Sequence, residues 1–128
     1  MKSNKFRFYS KATSKYISNP KDYVISGDGL IYSLSDAQYY DEIGSLNRVI
    51  IAEQYTGLKD KNGVEIYEGD IIPYGNKNYE VVYEAPSFTF KNYFIIDYYG
   101  HDAPELQDWS EFEVIGNIHE HKHLIDNN

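Results

Sequence analysis

Three histidines near the end of the sequence have the spacing that comes nearest to a set of metal ligands. They lie in His119-Glu120-His121-Lys122-His123. On a strand His119, His121 and His123 would share one face, and on a helix His119 and His123 would do so. Because imidazole nitrogens bind zinc and nickel, these histidines are candidate metal ligands. The alternative is a solvated, partly frayed C-terminal tail.

Motifs for catalysis are missing from the rest of the sequence. No Gly-x-Ser-x-Gly nucleophile accompanies His101-Asp102, and there is no phosphate-binding loop or dinucleotide fingerprint. On a strand, Glu111 and Glu113 would point to one face and could share a proton. Because the surrounding sequence is rich in acidic residues, we expect both carboxylates to be exposed to water instead. Cysteine is absent, which excludes a disulfide framework and a thiolate site. We therefore expect no catalytic residue, no cofactor and no enzymatic activity.

Charge is divided between the two halves of the chain. Residues 1–64 carry 9 basic and 7 acidic side chains, whereas residues 65–128 carry 3 basic and 13 acidic ones, within a net charge of -8. Lys5 and Arg7 near the start, and Lys59 and Lys61 around a turn, are the basic candidates for contact with a partner. The alternative is that the basic segment lies near the acidic half, within the fold or across a subunit contact.

Nucleic acid is the alternative partner class. The overall acidity argues against it, because binding to phosphates needs a basic surface. On an alternating strand Lys5, Arg7 and Tyr9 would face one way and Phe6 and Phe8 the other, which favours a core face over a platform for stacked bases. Contact through this N-terminal segment, or imitation of a nucleic-acid backbone by the acidic half, stays open as the second hypothesis.

Two tyrosine pairs favour an interface between proteins. Adjacent residues on a strand point to opposite faces, so one ring of Tyr39-Tyr40 and one of Tyr98-Tyr99 would be outside. Exposed tyrosine rings are enriched at protein interfaces, which makes Tyr40 and Tyr99 candidate contacts with a partner or with a second copy of the chain. The alternative is that these rings lie at the rim of a small core.

The elements that must position these residues are predicted to be mainly strands. Isoleucine outnumbers leucine by 14 to 6 and aromatic residues make up 16% of the chain, a composition typical of β structure. Residues 35–46 could form a loop or a short helix. The strands predicted in the first half are Lys5–Tyr9, Asp22–Ser26, Leu30–Leu34, Arg48–Tyr55 and Val64–Tyr67, with hairpin turns at Gly27-Asp28-Gly29 and Asp60-Lys61-Asn62-Gly63.

The second half shows short strands in quick succession, which is typical of an SH3-like small barrel. Pro73 cannot donate a ladder hydrogen bond, so its strand should be an edge or bulge there. No run is apolar enough for a signal peptide or a membrane span, so we expect a cytoplasmic protein without membrane contact. The predicted elements are strands at Asp70–Tyr74, Asn78–Glu84, Phe88–Lys91 and Tyr93–Asp97, a helical turn at Pro104–Trp109, and a last strand at Glu111–Ile118.

The segment from Gln54 to Ile72 closely resembles the signature of the YopX family, small proteins of phages and prophages in Gram-positive bacteria. Weaker matches follow the expected order, with Lys5-Phe6-Arg7 at the start and Phe112 to Glu120 at the end. The resemblance implies a phage-encoded, mostly β protein in a bacterial host, but no particular activity. It also predicts one YopX-like domain over 1–128, with N-terminal strands (1–57), a hairpin (58–68), a barrel (69–119) and a tail (120–128).

The resemblance bears on the histidines, and the residues themselves support two further expectations. The family tends to continue after the last match into an Asn-Pro-Glu type sequence, so His121 and His123 stand where its pattern has no histidine. We therefore assign no metal site. The leading hypothesis is a non-enzymatic accessory protein that binds an unidentified protein, of the host or its own kind. Each glycine of the matched segments is expected at a turn or bulge: Gly57, Gly63, Gly69 and Gly116.

Overall fold

The computed structural model describes residues 5–27, 29–33, 46–84, 87–91 and 109–126. Within these ranges the protein is mainly β, as predicted, with a 3₁₀ turn at Pro20–Asp22 and a short helix, α1, at His123–Asp126. No helix in these ranges is long and apolar enough to cross a membrane. The strands are β1 (Phe6–Ser10), β2 (Lys15–Tyr16), β3 (Tyr23–Ile25), β4 (Ile31–Ser33), β5 (Ile50–Lys59), β6 (Glu65–Tyr67), β7 (Asp70–Tyr74), β8 (Lys77–Glu84), β9 (Ser87–Phe90) and β10 (Gly116–Asn117).

Residues Lys5–Glu53 form one compact unit. Strand β1 lies between β2 and the start of β5, and β3 pairs with β4 as a separate hairpin. The alternation predicted for β1 is confirmed on one face, because Phe8 is buried in a core with Ile31 and Ile50 and Phe6 packs against it. Tyr9, predicted on the solvent face, is instead buried and packs edge-on against Tyr16, with ring centroids 5.2 Å apart.

Residues Gln54–Asn128 belong to a second compact unit. Its main element is an antiparallel sheet of order β10-β7-β8-β9, which agrees with the predicted small barrel-like fold. Phe90 lies at the centre of the aromatic core, with ring centroids 5.6 Å from both Trp109 and Phe112 and a stacked contact with Tyr79 at 5.2 Å. The sequence-based assignment of residues 1–128 to a single domain remains a prediction.

The hairpin of β5 and β6 forms where the sequence predicts it, but its turn differs. The Asn-Gly pair predicts positive φ at both residues, whereas among the described residues of this turn only Gly63 has positive φ, at 79°. The Asp60 side chain stabilises the turn instead, because its Oδ1 accepts hydrogen bonds from the backbone N–H groups of Asn62 (2.8 Å) and Val64 (2.9 Å). An Asx turn of this kind leaves Asn62 in an ordinary conformation.

The strands of the second unit test the predicted boundaries. Strand β7 has the predicted bounds. Strand β10 pairs only with Asp70 and Ile71 of β7, so this ladder ends before the exposed Pro73, as expected for a residue that cannot donate a ladder hydrogen bond. The last strand, predicted over Glu111–Ile118, is only Gly116–Asn117. The predicted elements at Tyr93–Asp97 and 104–108, and residues 35–45, lie outside the described residues.

Candidate binding groove

The predicted histidine cluster adopts neither of the two conformations considered for it. Residues 118–120 form a turn after β10, and only His123 belongs to a helix. Asn117 organises that turn, because its Oδ1 accepts from the backbone N–H groups of His119 (3.0 Å) and Glu120 (2.9 Å). Its own backbone N–H donates to His121 Nδ1 at 3.1 Å. The strand therefore ends where a side chain takes over the backbone hydrogen bonds.

This arrangement does not place the three candidate metal ligands around one point. The Nδ1 lone pair of His121 is engaged by the Asn117 backbone, and the ring centroids of His121 and His123 are 6.4 Å apart. Within the described ranges no group of three His, Cys, Asp or Glu side chains is placed so that it could hold a metal ion. The expectation of a frayed tail is wrong up to residue 126, since the Asn78 amide donates to the Leu124 carbonyl at 3.0 Å.

The His121 side chain lies directly against Gly116. A Cβ built on Gly116 would lie 2.7 Å from both Cγ and Nδ1 of His121, closer than carbon atoms can approach. Gly116 is predicted at a turn or bulge, whereas it begins strand β10, and the obstacle to a side chain here is the His121 side chain, whose ring accepts from the Asn117 N–H.

Replacing Gly116 with alanine is expected to lower the free energy of unfolding by about 2 kcal/mol, because the ring must leave its hydrogen bond. Urea denaturation measures this cost. The matched test compares His121→Gly with the double variant Gly116→Ala/His121→Gly. Glycine at 121 removes both the ring and the Cβ that lies 2.9 Å from the built Cβ, so alanine at 116 should cost much less there than it does beside His121. An equal cost in both backgrounds would contradict the proposed clash.

The basic residue Arg7, a predicted contact with a partner, takes part in an internal cluster of the first unit. Its Nε donates to Glu53 Oε1 at 2.8 Å, and the hydroxyl of Tyr16 donates to the same oxygen at 2.8 Å. The Arg7 guanidinium carbon also lies 4.6 Å from the centroid of the Tyr16 ring. Glu53 is only 4% exposed, so these contacts compensate a buried carboxylate. This role of Arg7 is structural.

The other predicted contacts are dispersed. Lys5 is exposed at the start of β1, and Lys59, also exposed, is paired with Glu65 across the β5–β6 hairpin. Lys61 Nζ lies 3.5 Å from Glu113 Oε2. Tyr40 and Tyr99 lie outside the described residues. The predicted binding residues remain predictions, and the described ones form no common site within either unit.

A groove in the second unit does bring charged and apolar side chains together. Its volume is about 500 Å³, and it lies between the start of β8, the residue after β9, and the segment that ends in α1. This volume falls within the range of ligand pockets. We call it the three-lysine groove, and it is lined by Lys77, Asn78, Tyr79, Glu80, Lys91, Ile118, Lys122, Ile125 and Asp126.

Backbone pairing positions both walls of the three-lysine groove. The Lys91 backbone N–H donates to the Glu80 carbonyl at 2.8 Å, which places Lys91 beside β8. The opposite wall is held by the bond from Asn78 to the Leu124 carbonyl and by the Ile118 N–H, which donates to Gly69 at 2.9 Å. Each wall therefore rests on hydrogen-bonded backbone.

The charge of the three-lysine groove is opposite to that of the sequence around it. Lys77, Lys91 and Lys122 are the only basic side chains between residues 65 and 128, and all three line this groove. Two carboxylates accompany them: Glu80, whose Oε1 lies 3.9 Å from Lys91 Nζ, and Asp126. All three lysines are exposed, so their charges are presented to solvent. The formal charge of the lining residues that the structure describes is therefore positive.

The sequence alone does not identify this site. Its one signal is the scarcity of basic residues in the acidic half, which singles out these three lysines without showing that they meet. Their separations in sequence, 77 to 91 to 122, follow no helical or strand period. Only the pairing of β8 with β9 and the docking of α1 bring them to one groove.

Comparisons with known proteins agree with the fold. The family model described as YopX protein matches residues 5–126. No curated protein matches the chain. Among solved structures, the crystal structure of protein EF1440 from Enterococcus faecalis is similar, with 25% sequence identity, a TM-score of 0.57, and coverage of 94% of this chain and 96% of that chain. The resemblance seen in Gln54–Ile72 thus extends over nearly the whole sequence, and the chain belongs to the YopX family.

Proposed function

We propose that this protein is a non-enzymatic phage or prophage accessory protein, located in the cytoplasm of the bacterial host, that acts by binding a partner protein in the three-lysine groove. The observation that carries the proposal is the convergence of Lys77, Lys91 and Lys122 on one concave surface of an otherwise acidic half. Charges gathered in this way favour a complementary ligand and speed its association. Membership of the YopX family supports the phage setting.

The lining of the groove supports binding over catalysis. None of the nine lining residues is Ser, Thr, Cys or His, the types that most often act as nucleophile or general base in acyl transfer. Tyr79 packs on Phe90 and supplies an aromatic surface, and Asn78 is tied to Leu124. These residues can form a fixed wall against which a partner packs.

Capture from a bacterial lysate tests the proposed function. The groove variant carries Lys77→Gln, Lys91→Gln and Lys122→Gln, and the charge-matched control carries the same change at three exposed lysines of the first unit: Lys11, Lys15 and Lys21. We expect the unaltered protein and the control to retain the same partner, and the groove variant to capture about tenfold less of it.

Two outcomes would contradict the proposal. One is a partner retained equally by the groove variant and the unaltered protein, and the other is no captured protein at all. Thermal melting of both variants shows whether they are folded. Light scattering shows whether the captured partner is a second copy of the chain.

A further inference from the structure

We infer that the occupant of the three-lysine groove is an acidic peptide segment that also carries apolar side chains. This inference depends on the proposed function and identifies the chemistry of the partner. It combines three observations: the placement of the lysines, the apolar part of the lining, and the two carboxylates between them.

The lysines determine the sign of the ligand. Lys77 begins β8, Lys91 follows β9 and Lys122 precedes α1, so positive charge lies on separate elements around the groove. Exposed ammonium groups each add little to an affinity, but several of them around one concavity act on the same ligand. A ligand that carries several carboxylates at separate points can pair with more than one of these lysines.

The apolar lining determines what else the ligand must carry. Tyr79, Ile118 and Ile125 are half-buried, and the aliphatic stems of the lysines extend the apolar surface beside them. Burying a Leu- or Phe-sized side chain against such a surface contributes to affinity and is insensitive to salt. A purely ionic ligand would leave this surface exposed to water.

The carboxylates argue for a peptide and against a nucleic acid. Glu80 and Asp126 lie among the lysines, and the surrounding half of the chain carries 13 acidic side chains. A nucleic acid presents a negative charge at every nucleotide and cannot avoid these carboxylates. A peptide can place acidic residues at the lysines and polar or basic ones at Glu80 and Asp126.

Selection from a bacterially displayed library of short random peptides tests the inference. The unaltered protein, the groove variant and the Lys11/Lys15/Lys21 control serve as targets. We expect the unaltered protein and the control to enrich peptides rich in Asp or Glu together with Leu, Ile or aromatic residues. Selected peptides, measured by fluorescence anisotropy, should bind the groove variant about tenfold more weakly and lose affinity as salt rises.

Several results would overturn the inference, and they separate it from the proposed function. Peptides that depend on the groove but are not acidic would refute the acidic ligand and leave a binding groove in place. Single-stranded DNA that binds the unaltered protein and not the groove variant would replace the peptide with nucleic acid. Failure to enrich any peptide would refute the peptide ligand, and the lysate capture then decides the proposed function separately.

Discussion

Replacing Asp60 with alanine is expected to lower the free energy of unfolding by about 3 kcal/mol. Asp60 is 5% exposed, and its carboxylate accepts three backbone hydrogen bonds, from Asn62, from Val64 and, through Oδ2 at 2.9 Å, from Val114. Alanine would leave all three N–H groups without this acceptor. Because Val114 lies 54 residues away in sequence, the loss would weaken the attachment of the hairpin to the 112–114 segment, which the Lys61 N–H also contacts by donating to the Phe112 carbonyl at 2.9 Å.

The Asp60 contribution should depend on pH. Burial by itself would raise the pKa of Asp60, but the N–H donors of Val114, Val64 and Asn62, helped by the Lys61 charge, outweigh burial and hold the pKa below its ordinary value of 3.8. A carboxyl with a lowered pKa stabilises the folded state above its unfolded pKa and loses that effect as pH falls through the folded pKa. The difference in free energy of unfolding between the unaltered protein and Asp60→Ala should therefore be largest above the ordinary pKa of 3.8 and should narrow as pH falls below it.

Urea denaturation at several pH values measures both effects. Lys61→Ala is the matched control. It removes an exposed pair with Glu113 and the smaller contribution of the Lys61 charge to Asp60 but keeps the three N–H donors, so it should cost less than about 1 kcal/mol. Asp60→Asn keeps one carbonyl oxygen and should fall between the control and alanine. A cost for Asp60→Ala that stays constant over the whole pH range would show that its charged form is not what the fold uses.

Replacing Glu53 with alanine should have an effect of similar size, about 3 kcal/mol, in the first unit. Its side chain is 5% exposed, and one oxygen accepts from both Arg7 and Tyr16. Removal would leave the Arg7 guanidinium, whose side chain is only 23% exposed, without its short ion pair. A partly buried cation that loses its carboxylate is more costly than the absence of both partners.

Chemical denaturation of the single and double variants tests this prediction. Glu53→Gln should be milder because the amide oxygen can still accept from both Arg7 and Tyr16 and only the negative charge is lost. Tyr16→Phe should cost about 1 kcal/mol. In the double variant Glu53→Ala/Arg7→Leu, part of the loss should be recovered, since no unpaired charge remains. Additive costs of the two single changes would contradict the coupling between Arg7 and Glu53.

The predicted strands succeed where alternation and turn residues agree. β7 was predicted with its observed bounds, and β8 differs only in starting at Lys77. β5 extends past the predicted Tyr55 to Lys59, because Gly57, at a φ of 87°, lets the strand continue through an irregularity in its pairing with β6. In a sequence, a glycine at this point indicates the end of a strand, whereas in the structure strand β5 continues past Gly57.

The candidate site was predicted less well because its parts are chemically ordinary. The contact of Arg7 with a partner stays a prediction, and nothing in the sequence identifies Glu53 as its hydrogen-bond acceptor 46 residues away. The histidines looked like ligands by spacing, but the Asn117 side chain forms a turn that spacing does not reveal. The lysines of the groove had no motif at all. In each case the missing information is a long-range contact or a local competition for hydrogen bonds.

The sequence by itself determined the family, the β class and the uneven distribution of charge, because these depend on residue types and local periodicity. The tertiary structure decided which charges meet. It paired Arg7 with a buried carboxylate, joined the Asp60 turn to Val114, and gathered Lys77, Lys91 and Lys122 around one groove. The physical reason is that strand pairing and the docking of α1 bring together residues that are distant in sequence, and no local pattern records their separation in space.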